Sequence, residues 1–238
     1  MKRHPHADEL QPIWAGQPVV IAATGPSLTK EQLDLARAAG ARIMVINDAL
    51  FLEPRADAHY VCDLKWFGWH EGRRELQLFS GLRLTLENYE LKRRWSNILC
   101  LQNAGHEGFA DERWAICNGW NSGYQALHCA AHTAGNPIIL IGYDMGRAAD
   151  GRSHFFGSHP PEGEGSDYAR IFIPAFNHIV KPLCDRKITV INATPGSRLN
   201  CFPKMPLELA LKGYRPRRAP HVLTRPKTRI DFLGKRHI

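Results

Sequence analysis

The sequence predicts an α/β fold: a Rossmann-like, mostly parallel sheet with helices on both faces, in a single domain with a basic C-terminal tail. Short apolar, β-branched runs alternate with segments of helical periodicity, which is typical of parallel strands joined by crossover helices. Several runs are apolar throughout, such as Val-Val-Ile-Ala-Ala from residue 19. Strands of that kind are buried on both faces of a sheet. The 238 residues suffice for one large domain of this class.

Seven runs are predicted to be strands because each is short, apolar and followed by turn residues. They are Pro18–Thr24, Arg42–Asn47, His59–Asp63, Leu82–Glu87, Asn97–Gln102, Pro137–Asp144 and Lys187–Thr194.

Two helix starts carry the spacing of a capping box. Thr29 and Gln32 predict a helix that Gly40 closes, and Ser122 with Gln125 predicts a second helix with Ser122 as its cap. The segment 168–183 also has helical spacing, bounded or kinked by its two prolines.

Composition narrows the class of protein. The chain is 44% hydrophobic and 23% charged, as in a globular domain, and no run of 18 apolar residues predicts a membrane span. The basic start has no apolar stretch after it, so we expect no export signal. None of the six cysteines forms a Cys-x-x-Cys pair, which favours reduced core cysteines. The predicted location is cytoplasmic, in the host cell if the protein is phage-encoded.

The net charge of +8 comes from the end of the chain. Residues 1–211 hold 22 Lys and Arg against 22 Asp and Glu, whereas residues 212–238 hold nine basic residues against Asp231 alone. Three prolines prevent this tail from being one regular helix. Two interpretations remain open: a solvated tail, or docking on nucleic acid or another anionic surface.

The turn at Gly25-Pro26-Ser27 follows a buried strand and precedes a helix. Glycine lets the backbone approach a ligand, and a helix N-terminus offers unpaired N–H groups and a positive dipole end. The turn at Asn121-Ser122-Gly123 repeats the arrangement. We therefore predict that both turns hold one phosphate group at the same edge of the sheet. A purely structural role for the first turn is the alternative.

Polar side chains also end the predicted strands, where open α/β sheets bind ligands. These residues are Asn47, Asp48, Asp63, Gln102, Asn103, Asp144, Asn192 and Thr194. Together they predict a shared ligand cleft.

Two histidines, His154 and His159, lie in a loop beyond the Asp144 strand end. A histidine that titrates near neutrality suits general-base work on a hydroxyl. Zinc at these two residues is an alternative that lacks a third ligand.

The motifs around Gly25, Val45–Ala49, Asn121–Tyr124 and Ile141–Met145 resemble a phage and bacterial group of 6-hydroxymethylpterin pyrophosphokinase-like domains of unknown function. The resemblance covers roughly residues 14–210. The same motifs, in the same order along the chain, are also similar to those of small bacterial sialyltransferases that use CMP-sialic acid.

The sialyltransferase resemblance implies roles for individual residues. Gly25, Pro26 and Ser27 would approach the nucleotide phosphate and ribose, Asn47 the nucleoside, and Ser122 with Gly123 the phosphate or base. His159 would be the base, although an extra residue in the loop leaves the choice between His159 and His154 open. The candidate catalytic residues are thus His159, His154 and Asp144. The candidate nucleotide-binding residues are Gly25, Pro26, Ser27, Asn47, Asp63, Asn103, Asn121, Ser122, Gly123 and Thr194.

Three functions follow. The first is metal-independent glycosyl transfer from a nucleotide-activated sugar to an unidentified hydroxyl acceptor, with no further cofactor, since no Asp-x-Asp motif is present. The second is Mg²⁺-dependent, pyrophosphokinase-like transfer from ATP, with carboxylates at strand ends as ligands. The third is a non-catalytic nucleotide-binding or phage assembly protein. The sugar, the base and any oligomeric state stay open.

Overall fold

Eight parallel strands form one sheet in the computed structural model, which describes residues 1–95, 97–157 and 167–212. The strands are β1 Val19–Ala22, β2 Arg42–Ile46, β3 Ala58–Tyr60, β4 Leu82–Leu86, β5 Ile98–Asn103, β6 Ala115–Ile116, β7 Ile138–Ile141 and β8 Val190–Asn192. The helices are α1 Lys30–Ala38, α2 Ala49–Leu52, α3 Leu64–His70, α4 Arg74–Leu78, α5 Tyr89–Arg94, α6 Ser122–His132, α7 Ile173–Asp185 and α8 Leu207–Lys212.

The central strands are buried on both faces, and their side chains alternate between two apolar cores. Val19 and Ile21 of β1 pack in the core that contains α6 and α7. Val20 and Ala22 pack in the opposite core, with residues from α1 to α5 and α8. This period of two is what a strand imposes on its side chains. The predicted parallel sheet with helices on both faces is confirmed.

The strand order is β6-β5-β4-β3-β2-β1-β7-β8. From β1 the chain builds the sheet outward through β2 to β6 and then returns to place β7 on the other side of β1. Strand β1 therefore lies at the topological switch point. Ligands of open α/β sheets bind beside such a point, at the carboxyl ends of the strands.

All seven predicted strands form, each at or within the predicted bounds except at the ends of β3 and β5, which are shifted by one residue. The eighth strand, β6, was not predicted because it has only two residues, Ala115 and Ile116, too few for a periodic pattern.

The first capping box is confirmed. The Thr29 side chain accepts a hydrogen bond from the Gln32 N–H, and the Gln32 side chain accepts one from the Thr29 N–H. Gly40 follows the end of α1 with φ of +76°, the left-handed conformation that glycine adopts most readily after a helix.

The predicted cap of α6 is wrong by one residue. Asn121 has extended backbone angles and its side chain accepts a hydrogen bond from the Tyr124 N–H, 2.8 Å away. Ser122 is already the first helical residue, and its hydroxyl lies 3.4 Å from the Cys62 thiol. Asparagine and serine cap equally well, so the backbone conformation decides between them.

The predicted helix at 168–183 begins as a wide π-helical turn over Tyr168–Phe172 and continues as α7. Pro174 lies in the first turn of α7, and Pro182 lies inside the helix. Helix α8 reaches Lys212, one residue into the predicted tail, and the rest of the tail lies outside the described residues.

The remaining sequence-based expectations concern cysteines and membranes. All six cysteines are free thiols, as predicted. Within the described ranges, no helix combines the length and the apolar character that crossing a bilayer requires.

Candidate functional site

A cavity of about 730 Å³ opens at the switch point. Its lining includes residues within three positions of the ends of four strands: Gly25 after β1, Asn47 after β2, Asp63 after β3 and Asp144 after β7. The start of α6 forms a further wall. The predicted cleft therefore exists, and the turns at Gly25 and Asn121–Gly123 meet at the same edge of the sheet, as expected.

The N-terminus of α6 is open toward this cavity. Asn121, Ser122 and Gly123 all contribute to the wall. The cap satisfies the Tyr124 N–H, but the N–H groups of Ser122 and Gly123 have no hydrogen-bond acceptor among the described residues. Unpaired amides at a helix start, together with the helix dipole, attract an anion.

Packing holds the start of α6 in place. The Tyr143 hydroxyl donates to the Gly123 carbonyl at 3.0 Å, and Tyr143 is buried, which raises the pKa of its hydroxyl far above the ordinary value. A Cβ on Gly123 would lie 2.9 Å from the Tyr143 ring. Residue 123 is therefore glycine because the helix start packs directly on that ring.

Two cationic side chains, Lys65 and Arg147, also line the cavity. The Arg147 guanidinium donates to the Gly151 carbonyl at 3.0 Å, while Lys65 is exposed. Neither side chain forms an ion pair with a described carboxylate. Their positive charge therefore adds to that of the helix start.

The turn at 25–27 differs from its prediction. The Asp144 carboxylate accepts the Ser27 N–H at 3.1 Å and the Ser27 hydroxyl at 2.9 Å. The Gly25 N–H donates to the Gly142 carbonyl at 2.9 Å. Gly25 lines the cavity, whereas Pro26 and Ser27 do not. The expected cradle of free amides at this turn is wrong, because an internal carboxylate already occupies it.

Two opposing effects act on the pKa of the Asp144 carboxyl group. Burial raises the pKa of its carboxyl group above the ordinary value, and the hydrogen bonds from Ser27 lower it, with burial the larger effect. Gly25 lies so close that an added Cβ would be 1.9 Å from the carboxylate. Glycine is therefore required where β1 passes the end of β7.

Asn47 has a strained backbone. Its φ is +48°, in the left-handed region that asparagine tolerates better than most residues. Its backbone is tied down, since its N–H donates to the Tyr60 carbonyl and its own carbonyl contacts His59 Nε2 at 3.1 Å. Its Oδ1 is buried and has no hydrogen-bond partner within the described chain. A ligand donor would satisfy this oxygen.

His154 lies on the cavity wall. Its Nδ1 is 3.1 Å from the Thr24 hydroxyl, just after β1, and the neighbouring Phe155 N–H donates to the Thr24 carbonyl at 3.1 Å. The loop that carries His154 is thereby attached to the switch point. The other candidate base, His159, lies outside the described residues.

Three other candidates have structural roles, so their prediction as ligand contacts is corrected. The Asn103 side chain accepts the Gly105 N–H at 3.0 Å, within its own turn. The buried Thr194 hydroxyl accepts the Tyr143 N–H at 2.9 Å. Neither residue lines the cavity. Asp48 also turns away, toward Trp66 Nε1 at 2.8 Å and His70 Nε2 at 3.2 Å.

The strand-end residues Gln102 and Asn192 are likewise engaged internally. Gln102 accepts a hydrogen bond from the His4 N–H at 2.7 Å and so attaches the N-terminal segment. The buried Asn192 side chain donates to Ser197 and Leu199, each at 2.9 Å. A polar residue after a strand is thus often a turn or core residue.

The tryptophans of the cavity wall and Phe172 were missed by sequence reasoning. The wall includes Trp66 and Trp69 of α3, Trp120 before α6, and Tyr168 and Phe172 of the π-helical turn. Trp66 and Trp69 are three residues apart and follow Asp63 directly, so their position after a strand end was an available signal. Such rings offer stacking surfaces to a base or a sugar.

The thiol of Cys62 also faces this cavity. Burial raises its pKa to about 12, which keeps the sulfur protonated and a poor nucleophile. In residues 1–95, 97–157 and 167–212, no three His, Cys, Asp or Glu side chains come together as a metal site.

Comparison of the chain with models of protein families, with curated proteins and with solved structures finds no match in any of the three.

Proposed function

We propose that the protein binds a nucleotide-activated sugar in this cavity and transfers the sugar to an acceptor hydroxyl. The observation that carries the proposal is the N-terminus of α6, where Ser122 and Gly123 line the cavity and their amides have no acceptor among the described residues. A phosphate group is the common anion that fits such a helix start.

The charge distribution supports a phosphate leaving group. An 11-residue helix such as α6 carries roughly half a positive charge at its N-terminus. Lys65 and Arg147 add cationic side chains to the same cavity. Fixed donors and dipoles stabilise charge that develops during reaction, because they need no reorganisation. This is what departure of a nucleotide phosphate requires.

In the proposed reaction, an acceptor oxygen forms a bond to the anomeric carbon of the sugar. The bond from that carbon to the phosphate oxygen breaks, and the electron pair leaves with the nucleotide. His154 takes the proton of the acceptor hydroxyl as general base. Asp144 acts as a positioning residue, since its carboxylate holds the Ser27 turn that follows the cavity residue Gly25.

A Mg²⁺-dependent transfer from ATP is the second candidate. Asp63 and Asp144 both line the cavity, and carboxylates at that position are the ligands such chemistry uses. The loss of Asp48 to a structural hydrogen bond leaves this candidate with fewer ligands. Loss of turnover in a chelator would favour it over metal-independent transfer, whereas nucleotide binding without any turnover would favour the third, non-catalytic function.

The first experiment is a thermal-shift panel of CMP, UMP, GDP, ATP and their sugar conjugates. A ligand present at 100 times its Kd stabilises the folded state by about 2.7 kcal/mol. For a chain of this length we expect the melting temperature to rise by about 5–10 °C. If no nucleotide shifts it, the proposal is wrong.

A pair of variants tests the helix start. Ser122→Pro removes the N–H at the first helical position, where proline is well tolerated, and Asn121 before it has the extended conformation that proline favours. A hydrogen bond to a charged group is worth about 1.5–3 kcal/mol, so we expect nucleotide binding to weaken about 10- to 150-fold. Titration calorimetry measures the change.

Ser122→Ala is the matched control, because it removes the hydroxyl and keeps the N–H. Its affinity should stay near that of the wild type. Equal losses in both variants would assign the effect to the hydroxyl, and unchanged affinity in Ser122→Pro would place the phosphate elsewhere.

The basic tail carries a separate proposal, contact with nucleic acid or another polyanion. If the tail makes that contact, affinity falls steeply with salt and is lost when the chain is truncated after Leu211.

A further inference from the structure

An exposed tryptophan stands beside the open helix start. Trp120 lies two residues before Ser122, lines the same cavity and is 50% exposed. An indole offers a large flat apolar surface with one polar N–H, which is why tryptophan is enriched where proteins contact other molecules.

The backbone at Trp120 is strained. Gly119 and Trp120 both have positive φ, at +52° and +61°, and the Asn121 N–H donates to the Asn118 carbonyl across them at 3.2 Å. Two consecutive positive φ angles belong to a type I′ turn, which glycine and asparagine normally occupy. A bulky residue at this position is an outlier, and strain of this kind concentrates at ligand sites.

Neighbouring residues fix the ring of Trp120. His106 stacks under it with ring centroids 3.8 Å apart and planes 8° from parallel. Asn118 Oδ1 accepts the Trp120 N–H at 3.0 Å and also bonds His106 Nδ1 at 3.1 Å. One amide oxygen thus contacts both the backbone of Trp120 and the His106 ring that stacks on its indole. The ring is preorganised, which lowers the entropy cost of placing a further ring on it.

We propose that the exposed face of Trp120 stacks on the base of the nucleotide whose phosphate lies at the α6 start. This inference rests on the proposed function and specifies a binding contact within it. Trp120, Ser122 and Gly123 line the same cavity within four residues of the chain, and in a nucleotide the ribose alone separates the phosphate from the base. Every nucleobase has a π-face, so the contact provides affinity without selecting one base.

The test compares ligands with and without a base. The probes are AMP, GMP, CMP, UMP and ribose 5-phosphate, and titration calorimetry measures each affinity. Stacking of a base on an aromatic ring contributes about 1–3 kcal/mol, so Trp120→Ala should weaken the best monophosphate about 5- to 150-fold. Its affinity for ribose 5-phosphate should not change.

Two further substitutions at Trp120 distinguish stacking on a π-face from contact with an apolar side chain. Trp120→Phe keeps a ring and should retain part of the base-dependent affinity, whereas Trp120→Leu keeps apolar bulk without a π-face and should behave like Trp120→Ala. The ring is half exposed, so these variants should fold, and circular dichroism checks that they do.

The outcomes separate this inference from the proposed function. Ser122→Pro should weaken monophosphates and ribose 5-phosphate by the same factor, because both contain the phosphate. Monophosphate binding that is unaffected by Trp120→Ala overturns the stacking inference alone. Equal loss of both ligand classes in Trp120→Ala places the sugar on the ring and also overturns it. If the wild type binds neither class, both proposals fail.

Discussion

The turn before α1 and the start of α6 both reach the cavity, through Gly25 and through Ser122, but they differ in what satisfies their amides. Before α1, the Ser27 N–H donates to Asp144 and the Thr29 N–H donates to Gln32. At the start of α6, the Ser122 and Gly123 N–H groups have no acceptor among the described residues. One turn is closed by the protein itself, and the other is open to a ligand.

The comparison teaches that a glycine-containing turn before a helix does not by itself make an anion site. The same donors can bind a carboxylate of the protein, and here Asp144 comes from 117 residues away along the chain. Its two oxygens occupy the position predicted for a phosphate. At α6, no carboxylate within residues 1–95, 97–157 and 167–212 accepts from the Ser122 and Gly123 N–H groups.

The largest expected effect concerns the closed turn. In Gly25→Ala, the new Cβ would lie 1.9 Å from Asp144 and 2.4 Å from the Gly142 carbonyl, and the backbone atom cannot move aside easily. We expect a loss of about 3 kcal/mol or more in the free energy of unfolding. Urea denaturation measures it.

Gly68→Ala is the control for that substitution. Gly68 lies in α3, and a Cβ there would meet nothing within 4 Å. Alanine is the better helix former, so stability should rise by up to about 1 kcal/mol. A similar loss in both variants would contradict the close packing of the closed turn.

Substitutions at the two helix caps should have an intermediate effect, and they compare the starts of α1 and α6 directly. Thr29→Ala and Asn121→Ala each remove one capping side chain and should each cost about 1 kcal/mol of stability. Only Asn121→Ala should also weaken nucleotide binding, since only its helix start is open. Thermal unfolding measures stability, and titration calorimetry measures nucleotide binding. Weaker nucleotide binding in Thr29→Ala would contradict the proposed difference between the two helix starts.

The smallest effect is a pH dependence of the closed turn. Because burial raises the pKa of Asp144, the folded state holds its proton more tightly than the unfolded state. That stabilisation is present below the ordinary value of 3.8 and is lost as pH rises through the raised pKa. The wild type should therefore lose stability relative to Asp144→Asn as pH rises above 3.8.

Asp150 is a control of opposite sign. A hydrogen bond from Arg152 lowers the pKa of this exposed carboxyl group. The wild type should therefore gain stability relative to Asp150→Asn as pH rises toward 3.8, and that gain is fully present above 3.8, where the Asp144 profile falls. Parallel pH profiles of wild type and Asp144→Asn would show that Asp144 is not held as the structure indicates.

Local sequence patterns predicted the strands and helices better than they predicted which side chains line the cavity. The run from Val19 and the capping box at Thr29 act through neighbours in the chain, and both formed as expected. The two-residue strand β6 and the α6 cap were missed or misplaced because backbone geometry, and not residue type, decides them. Of the predicted site, Asn47, Asp63 and Asp144 reached the cavity, whereas Asn103 and Thr194 did not.

By itself, the sequence predicted the parallel sheet, a cleft at the carboxyl ends of its strands and two glycine turns at one edge, because periodicity and turn chemistry are local properties. Only the tertiary structure decided that Asp144 closes the turn at Ser27 and that Trp120 lies on His106 beside the open start of α6. Those contacts join residues far apart in the chain or depend on backbone angles that residue type does not dictate. The distinction between a structural turn and a binding turn therefore appears only once the chain is folded.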